Sequence, residues 1–181
     1  YLKKQNKLAN DTLVVTTMSN IGLHAAAKEY GIDLAITDVG DRYVIEEMKK
    51  SGHNLGGEQS GHMIFLDYNT TGDGTLSSLI VSKIVKEEGK TLSEQSALMT
   101  TYPQVLINVE VRNEVKNKFM ENDEIRAEIE RLEKLMNGTG RVLIRPSGTQ
   151  PLVRVMLEGK DEGQIRELAQ GLADLIKEKL A

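Results

Sequence analysis

The sequence predicts an α/β protein in two parts. A mixed, mostly parallel α/β domain covers residues 1–101, and a smaller α+β domain with an antiparallel sheet and two helices covers 102–181. Three observations carry this. Strand-like and helix-like segments alternate through the first hundred residues, the pattern of a parallel sheet with crossover helices. From about Gln104 the order becomes strand, helix, strand, strand, helix, which packs helices on one face of a small sheet. Between the two parts stands Thr100-Thr101-Tyr102-Pro103, a linker in composition.

The elements follow in order. Thr12 to Met18 is a β-branched run and reads as a buried strand. Ser19 or Asn20 can cap a helix that runs to about Tyr30 and stops at Gly31. Leu34 to Val39 is a second strand. Arg42 to Lys50 is a helix with Val44, Ile45 and Met48 as its apolar stripe, closed by Ser51-Gly52. Met63 to Tyr68 is a strand. Thr75 to Glu88 is a helix with Leu76, Leu79, Ile80, Ile84 and Val85 on one face. In the second part Val105, Ile107, Val109 and Val111 alternate with Leu106, Asn108, Glu110 and Arg112, the period of a half-buried strand. Ile125, Ile129, Leu132 and Leu135 fall at helical spacing, ended by Asn137-Gly138. Strands over Arg141 to Arg145 and Leu152 to Leu157 follow. A last helix, about Asp161 to Lys179, buries Ile165, Leu168, Leu172, Leu175 and Ile176.

Composition narrows the function classes. With 39% hydrophobic and 28% charged residues the chain is a globular type. No apolar run approaches the ~20 residues that span a bilayer, so no membrane partner is expected. The net charge of −4 lacks the basic excess of a nucleic-acid binder. Any anion is therefore held by a local cluster rather than by the overall field. There is no cysteine, so disulfides and thiolate metal sites are excluded, and a reducing, cytoplasmic setting is expected. Tyr1 to Lys7 lead into no long apolar core, so no secretory leader is expected. A first residue other than Met predicts that the chain continues upstream.

The most informative segment is Arg145-Pro146-Ser147-Gly148-Thr149-Gln150-Pro151, followed by Leu152-Val153-Arg154. A phosphate needs many donors converging on a small volume. Ser147 and Thr149 offer hydroxyls. Gly148 lets the backbone approach closely and take a positive φ, so that successive N–H groups form an anion nest. Arg145 and Arg154 bracket the loop on adjacent strands, and guanidinium matches phosphate bidentately. The same residues also make an ordinary hairpin turn with two surface arginines. Taken alone they allow either reading.

Gly56-Gly57-Glu58-Gln59-Ser60-Gly61-His62 is the second cluster. Vicinal sugar hydroxyls need an acceptor that takes two O–H bonds, and one carboxylate does so. Glu58 is that candidate. Ser60 lies one strand repeat away on the same side. The flanking glycines let a ring sit against the backbone, and His62 is a candidate to donate to an oxygen or assist a proton transfer. A plain glycine-rich connection is the alternative.

Other signals are weaker. Thr71-Gly72-Asp73-Gly74-Thr75 has one carboxylate, too few oxygens for a dedicated Mg²⁺ site, so a turn that caps the next helix is expected. His24, His53 and His62 lack zinc spacing, and no metal site is expected in this chain. Arg42, after Gly40-Asp41, either places a cation at a strand end or starts a helix as an exposed arginine.

Together these blocks resemble the α-D-phosphohexomutase superfamily, and most closely its phosphoglucosamine mutase branch. The matching segments are Val15 to Gly22, Val39 to Val44, Gly56 to His62, Thr71 to Gly74, and Arg145 to Met156, in order over nearly the whole chain. The resemblance places the chain on the third and fourth of four domains around one cleft. It implies that Glu58 and Ser60 hold sugar hydroxyls with His62 nearby, and that Arg42 joins the cationic lining. It implies that Arg145, Ser147, Gly148, Thr149 and Arg154 hold the phosphate that is not being transferred. The implied reaction interconverts glucosamine 6-phosphate and glucosamine 1-phosphate. It runs through a phosphoserine and glucosamine 1,6-bisphosphate, and serves UDP-N-acetylglucosamine and cell-wall synthesis. Mannose- or glucose-specific relatives, a free-standing sugar-phosphate binding module and a ligand-free scaffold are the competing readings.

Two departures matter. Gln150 stands where the superfamily usually has Glu. No Ser-His-Asn-Pro segment and no Asp-Gly-Asp-Gly-Asp-Arg segment is present. The phosphoserine and the Mg²⁺ of the full-length enzyme are thus expected in missing N-terminal domains, and the chain alone is expected to be inactive. The resemblance allows a homodimer in the full-length protein.

Overall fold

The computed structural model describes residues 1–180. The chain divides into two compact units, Tyr1–Thr101 and Tyr102–Ala181. The fold class is mixed α/β: the first unit has a parallel-rich sheet and the second an antiparallel one. Among the described residues no helix is long and apolar enough to cross a membrane.

The first unit holds β1 (Thr12–Thr16), α1 (Ile21–Glu29), β2 (Asp33–Thr37), α2 (Asp41–Ser51), β3 (Leu55–Gly57), β4 (Met63–Phe65), α3 (Gly74–Glu88) and α4 (Leu92–Ser96). Its strands lie in the order β2-β1-β3-β4. β1 is parallel to β2 and β3, and β4 returns antiparallel to β3. Val14, Val44, Met48 and Ile64 form its buried centre. Asn20 is the cap of α1, its side chain accepting from the Gly22 N–H at 3.0 Å.

Local hydrogen bonding revises several element ends. β1 stops at Thr16 rather than Met18, because the Ser19 N–H turns back to the Thr16 carbonyl. β4 stops at Phe65 rather than Tyr68, because the N–H groups of Tyr68 and Asn69 both donate to the Phe65 carbonyl. β3 occupies what reads in sequence as a glycine loop, since glycine is depleted from strands on propensity. Packing overrides that propensity at Gly56. A Cβ there would stand 2.6 Å from Met48 Sδ and 2.7 Å from Val44 Cγ1 on α2. α4 is a further unpredicted element. It opens with a reciprocal capping box between Thr91 and Glu94, a Thr-x-x-Glu signature present in the sequence.

The second unit holds β5 (Gln104–Glu110), α5 (Asp123–Leu135), β6 (Gly140–Pro146), β7 (Leu152–Gly159) and α6 (Glu162–Leu180). The sheet order is β5-β7-β6, all antiparallel, with β7 central. Val105, Val109, Val153, Val155 and Leu157 from the sheet join Ile125, Ile129, Leu132, Ile165, Leu172 and Ile176 from the helices in one core. Leu135, expected in the α5 stripe, is 51% exposed, and Met136 is buried instead. Helical periodicity explains the exchange: position 136 completes three turns from Ile125, whereas 135 falls short of the buried face.

Register partners on neighbouring strands present their side chains to one face of a sheet. One face of this sheet carries the core residues. The other carries three rows across β5, β7 and β6: Gln104, Glu158 and Arg141; Leu106, Met156 and Leu143; Asn108, Arg154 and Arg145.

Candidate functional site

In the first unit, β1, β2 and β3 run parallel, so the segments after their carboxyl ends gather at one edge. Gly40 follows β2 and Glu58 follows β3. The Gly40 N–H donates to Glu58 Oε1 at 2.8 Å. One carboxylate oxygen is thereby anchored to the residue that caps α2. The other oxygen keeps its acceptor capacity, so Glu58 offers fewer sites than a free carboxylate.

Glu58 to His62 closes the β3–β4 hairpin. The Glu58 N–H donates to the His62 carbonyl at 2.9 Å, and the Gly61 N–H donates to the Glu58 carbonyl at 3.1 Å. Gly61 has φ of 96°, the left-handed residue that such a three-residue loop requires. Gln59 and Ser60 are turn residues, so Ser60 is not one strand repeat from Glu58 as expected. Its position comes instead from the turn and from His62, whose Nδ1 lies 2.9 Å from Ser60 Oγ. The two exposed side chains form a coupled donor–acceptor pair.

The glycines before Glu58 have a different role from the one expected. At Gly56 the absent side chain makes room for α2, and a Cβ at Gly57 would stand 2.7 Å from the His62 carbonyl oxygen. Protein atoms occupy that space, not a sugar ring.

Arg42 sits exposed in the first turn of α2, with Nε donating to Glu46 Oε1 at 2.7 Å. That hydrogen bond, and then the Glu46 charge, raise the Arg42 pKa above its ordinary value. Asp73 caps α3, accepting from the Leu76 N–H at 2.9 Å, as the turn reading expects. The turn passes close to His62: a Cβ on Gly72 would lie 3.8 Å from the His62 ring. The first unit also holds a cavity of about 670 Å³ lined by Leu13, Leu23, Ala27, Tyr30, Leu98 and Met99 among others, with no residue of the Glu58 hairpin.

In the second unit, Arg145 on β6 and Arg154 on β7 are direct register partners. Like charges in that relation repel. Among the described residues neither guanidinium has an ion pair or a side-chain hydrogen bond, and Arg154 Nε is buried without a partner. Burial, and then the Arg154 charge, lower the Arg145 pKa below the usual arginine value. Four residues further along β7 on the same face, the charges balance. Glu158 is fully buried and accepts from Arg141 Nε at 2.7 Å and from Gln104 Nε2 at 3.0 Å.

The loop between these strands is shaped by Ser147. Its N–H donates to the Leu152 carbonyl at 2.9 Å, and its Oγ accepts from the Gln150 N–H at 3.2 Å. Ser147 is buried, and its hydroxyl proton remains available as a donor. Gly148 and Thr149 are exposed at the tip. Gly148 does not adopt the positive φ expected of it, and a Cβ there would meet nothing within 4 Å. Neither intrachain packing nor backbone strain requires glycine at this point.

The sequence reading missed two groups beside this loop. Lys116 Nζ, from the segment after β5, donates to the Gln150 carbonyl at 3.3 Å. Asn108 on β5 is the register partner of Arg154. Asn108 was legible as an outward position of an alternating strand, whereas nothing in the pattern around Lys116 points to the loop.

Magnesium is implied by the resemblance. Among the described residues no group of three or more His, Cys, Asp or Glu side chains is placed to hold a metal ion. The residues of this chain therefore do not fit that ion, and no chemical step is derived through it.

Comparison with known proteins gives consistent matches. The family model "Phosphoglucomutase/phosphomannomutase, alpha/beta/alpha domain III" matches residues 1–102, and the family's C-terminal domain model matches 106–175. A phosphoglucosamine mutase of Clostridioides difficile (strain 630) is 69% identical over 180 residues, covering 99% of this chain and 40% of that protein. One of Thermoanaerobacter sp. (strain X514) is 62% identical over 179 residues, with coverage of 99% and 40%. The chain thus spans about 40% of the length of these curated relatives. Among solved structures, Aspergillus fumigatus N-acetylphosphoglucosamine mutase in complex with GlcNAc-6P and magnesium superposes with a TM-score of 0.80. It is 20% identical, with 99% of this chain and 41% of that one covered. At that identity the likeness is one of fold.

Proposed function

The chain belongs to the phosphoglucomutase/phosphomannomutase family, and on that premise we propose that it is the substrate-binding portion, third and C-terminal domains, of a phosphoglucosamine mutase. The whole enzyme interconverts glucosamine 6-phosphate and glucosamine 1-phosphate in the cytoplasm. A phosphoserine outside this chain gives its phosphoryl group to the sugar, the resulting glucosamine 1,6-bisphosphate turns around, and the other phosphate returns to the serine. The high identity to two phosphoglucosamine mutases favours glucosamine over other hexoses. Magnesium in the full-length enzyme supplies charge neutralisation at the transferring phosphate, and its ligands lie outside this chain.

The observation that carries the reading is the pairing of Arg145 with Arg154 without a counter-ion. Two arginines held as cross-strand partners cost stability unless an anion joins them. With the Ser147 hydroxyl and the exposed Gly148 and Thr149 tip, they form a clamp for the phosphate that is not being transferred. The clamp reads charge and shape, so it takes a phosphate from either end of the sugar. Fixing the reactants in this way supplies much of the rate in phosphoryl transfer.

Within the first unit, Glu58 accepts sugar hydroxyls through the oxygen that Gly40 leaves available. Ser60 and His62 act as one group, because a change in one side chain's hydrogen bond changes what the other can offer. Arg42 joins them by releasing Glu46. That costs little, because an exposed i,i+4 ion pair is screened by solvent and holds two long side chains in one geometry.

The test is turnover by the full-length protein on glucosamine 6-phosphate, mannose 6-phosphate and glucose 6-phosphate, with Glu58→Ala alongside. Glucosamine 6-phosphate is expected to be favoured, and Glu58→Ala to lower kcat/KM for it by roughly 10- to 100-fold, the loss of one or two hydrogen bonds to a charged acceptor. The 181-residue chain alone is expected to show no turnover. Equal use of all three sugars, or an unchanged kcat/KM in the variant, overturns the reading.

A further inference from the structure

We infer that Asn108 is a third phosphate-site residue, presented from β5 on the opposite side of Arg154 from Arg145. The inference rests on the phosphate-loop reading above and extends it to a strand outside the loop.

The sheet order β5-β7-β6 makes Arg154 the centre of a row, with Asn108 as its register partner on one side and Arg145 on the other. Directly opposed residues hold their Cβ atoms about 4.5–5.5 Å apart on one face. All three side chains therefore rise from a single strip of that face. Asparagine is depleted in strands because its amide competes with the backbone for hydrogen bonds. Yet Asn108 sits near the middle of Gln104–Glu110, where its nearest neighbours are Ile107 and Val109. It is exposed, and among the described residues its amide has no hydrogen-bond partner. It does not satisfy Arg154, whose Nε is buried and unpartnered.

The first row on the same face gives the contrast. There the central residue of β7 is Glu158, and its flanking partners Gln104 and Arg141 both donate to it. That row supplies its own anion and two donors to it. In the Asn108 row the central residue is a cation, one flank is another cation and the other flank is a neutral amide. Such a row is short of an anion and supplies donors around the gap. An amide also suits a phosphate monoester better than a third cation would. The second ionisation of the monoester lies near pH ~6. The NH₂ group of Asn108 can donate to a bare phosphate oxygen, and its carbonyl can accept from a protonated one. The row thereby holds both ionic forms of the phosphate near neutral pH.

The experiment uses the 181-residue chain and inorganic phosphate, read by backbone amide shifts at 147–149 and by thermal melts, at low salt and pH 7. Asn108→Ala removes the amide from an exposed position. It is expected to weaken phosphate binding about five- to tenfold with little change in Tm without ligand. Asn108→Asp places a carboxylate beside Arg154, as Glu158 stands beside Arg141. It is expected to raise Tm without ligand and to weaken phosphate more than Asn108→Ala does, because the carboxylate competes for the same guanidinium. A structural asparagine would not move stability and affinity in opposite directions. If the wild type binds phosphate and Asn108→Ala binds within twofold of it, the inference fails while the phosphate-loop reading stands. If the wild type shows no response at millimolar phosphate, the loop reading fails and takes the inference with it.

Discussion

Arg145 and Arg154 stand opposite one another across β6 and β7, with no carboxylate paired to either among the described residues. Burial and the Arg154 charge together lower the Arg145 pKa, so the folded state opposes that charge. Arg145→Met should therefore melt at the same or a higher temperature without ligand. The expected gain is between zero and about 1 kcal/mol, the scale of a cross-strand pair. The same change should weaken phosphate by roughly 10- to 100-fold, the loss of hydrogen bonds to a charged group. Melts with and without phosphate measure both quantities, since ligand-induced stabilisation falls with affinity. A large destabilisation without ligand would mean that Arg145 is a packing residue.

Glu158 tests the opposite case, a charge that the fold has fully enclosed. It has 0% exposure and is held by Arg141 and Gln104. Glu158→Ala should cost about 3 kcal/mol, the lower end for a broken buried pair, because the Arg141 side chain keeps 23% exposure. Glu158→Met together with Arg141→Met removes both charges and should recover much of that loss. Urea unfolding of the two variants decides the matter. Equal stability of single and double variants would show that the pair is not what Glu158 contributes.

Asp73 gives the second unit's charges a counterpart in the first. Its pKa is lowered, chiefly by the hydrogen bond from the Leu76 N–H at the start of α3. The folded value lies below the unfolded one, so the cap's contribution is complete above the ordinary aspartate range. It is lost as pH falls through the lowered folded value. Asp73→Asn keeps a good capping residue that does not titrate. The wild type should lose more stability than Asp73→Asn as pH falls below about 4, the ordinary aspartate value, toward the lowered folded one. Parallel acid-titration profiles for the two proteins would show that Asp73 does not set this slope.

Much of the candidate site was legible because its parts are close in sequence. Arg145 and Arg154 bracket one short loop between two strand-like runs, so their pairing follows once the hairpin is read. Glu58, Ser60 and His62 fall within five residues of each other. The groups that act on them come from elsewhere in the chain. Gly40 reaches Glu58 because β2 and β3 are both parallel to β1 and end at the same edge. Lys116 reaches the carbonyl of Gln150 from 34 residues away. A residue's own neighbours carry no trace of such partners.

The glycines show the same division. Gly61 was readable as a turn residue, and its positive φ follows from local chain geometry. Gly56 was read as room for a sugar and proves to be room for Met48 and Val44. A glycine in sequence says only that a side chain is unwanted, and packing decides which neighbour excludes it.

The order of side chains alone specifies the mixed α/β fold class, the caps of α1 and α3 and the alternating strand β5. All of these rest on periodicity and on interactions within a few residues, which the order of side chains specifies directly. The tertiary structure decided that Glu58 is anchored by Gly40, that Ser60 is paired with His62, and that Arg154 lies between Arg145 and Asn108. Those relationships depend on which strands become neighbours and in what register. That choice is set by burying the apolar faces of the whole unit at once, and no local stretch of sequence contains it.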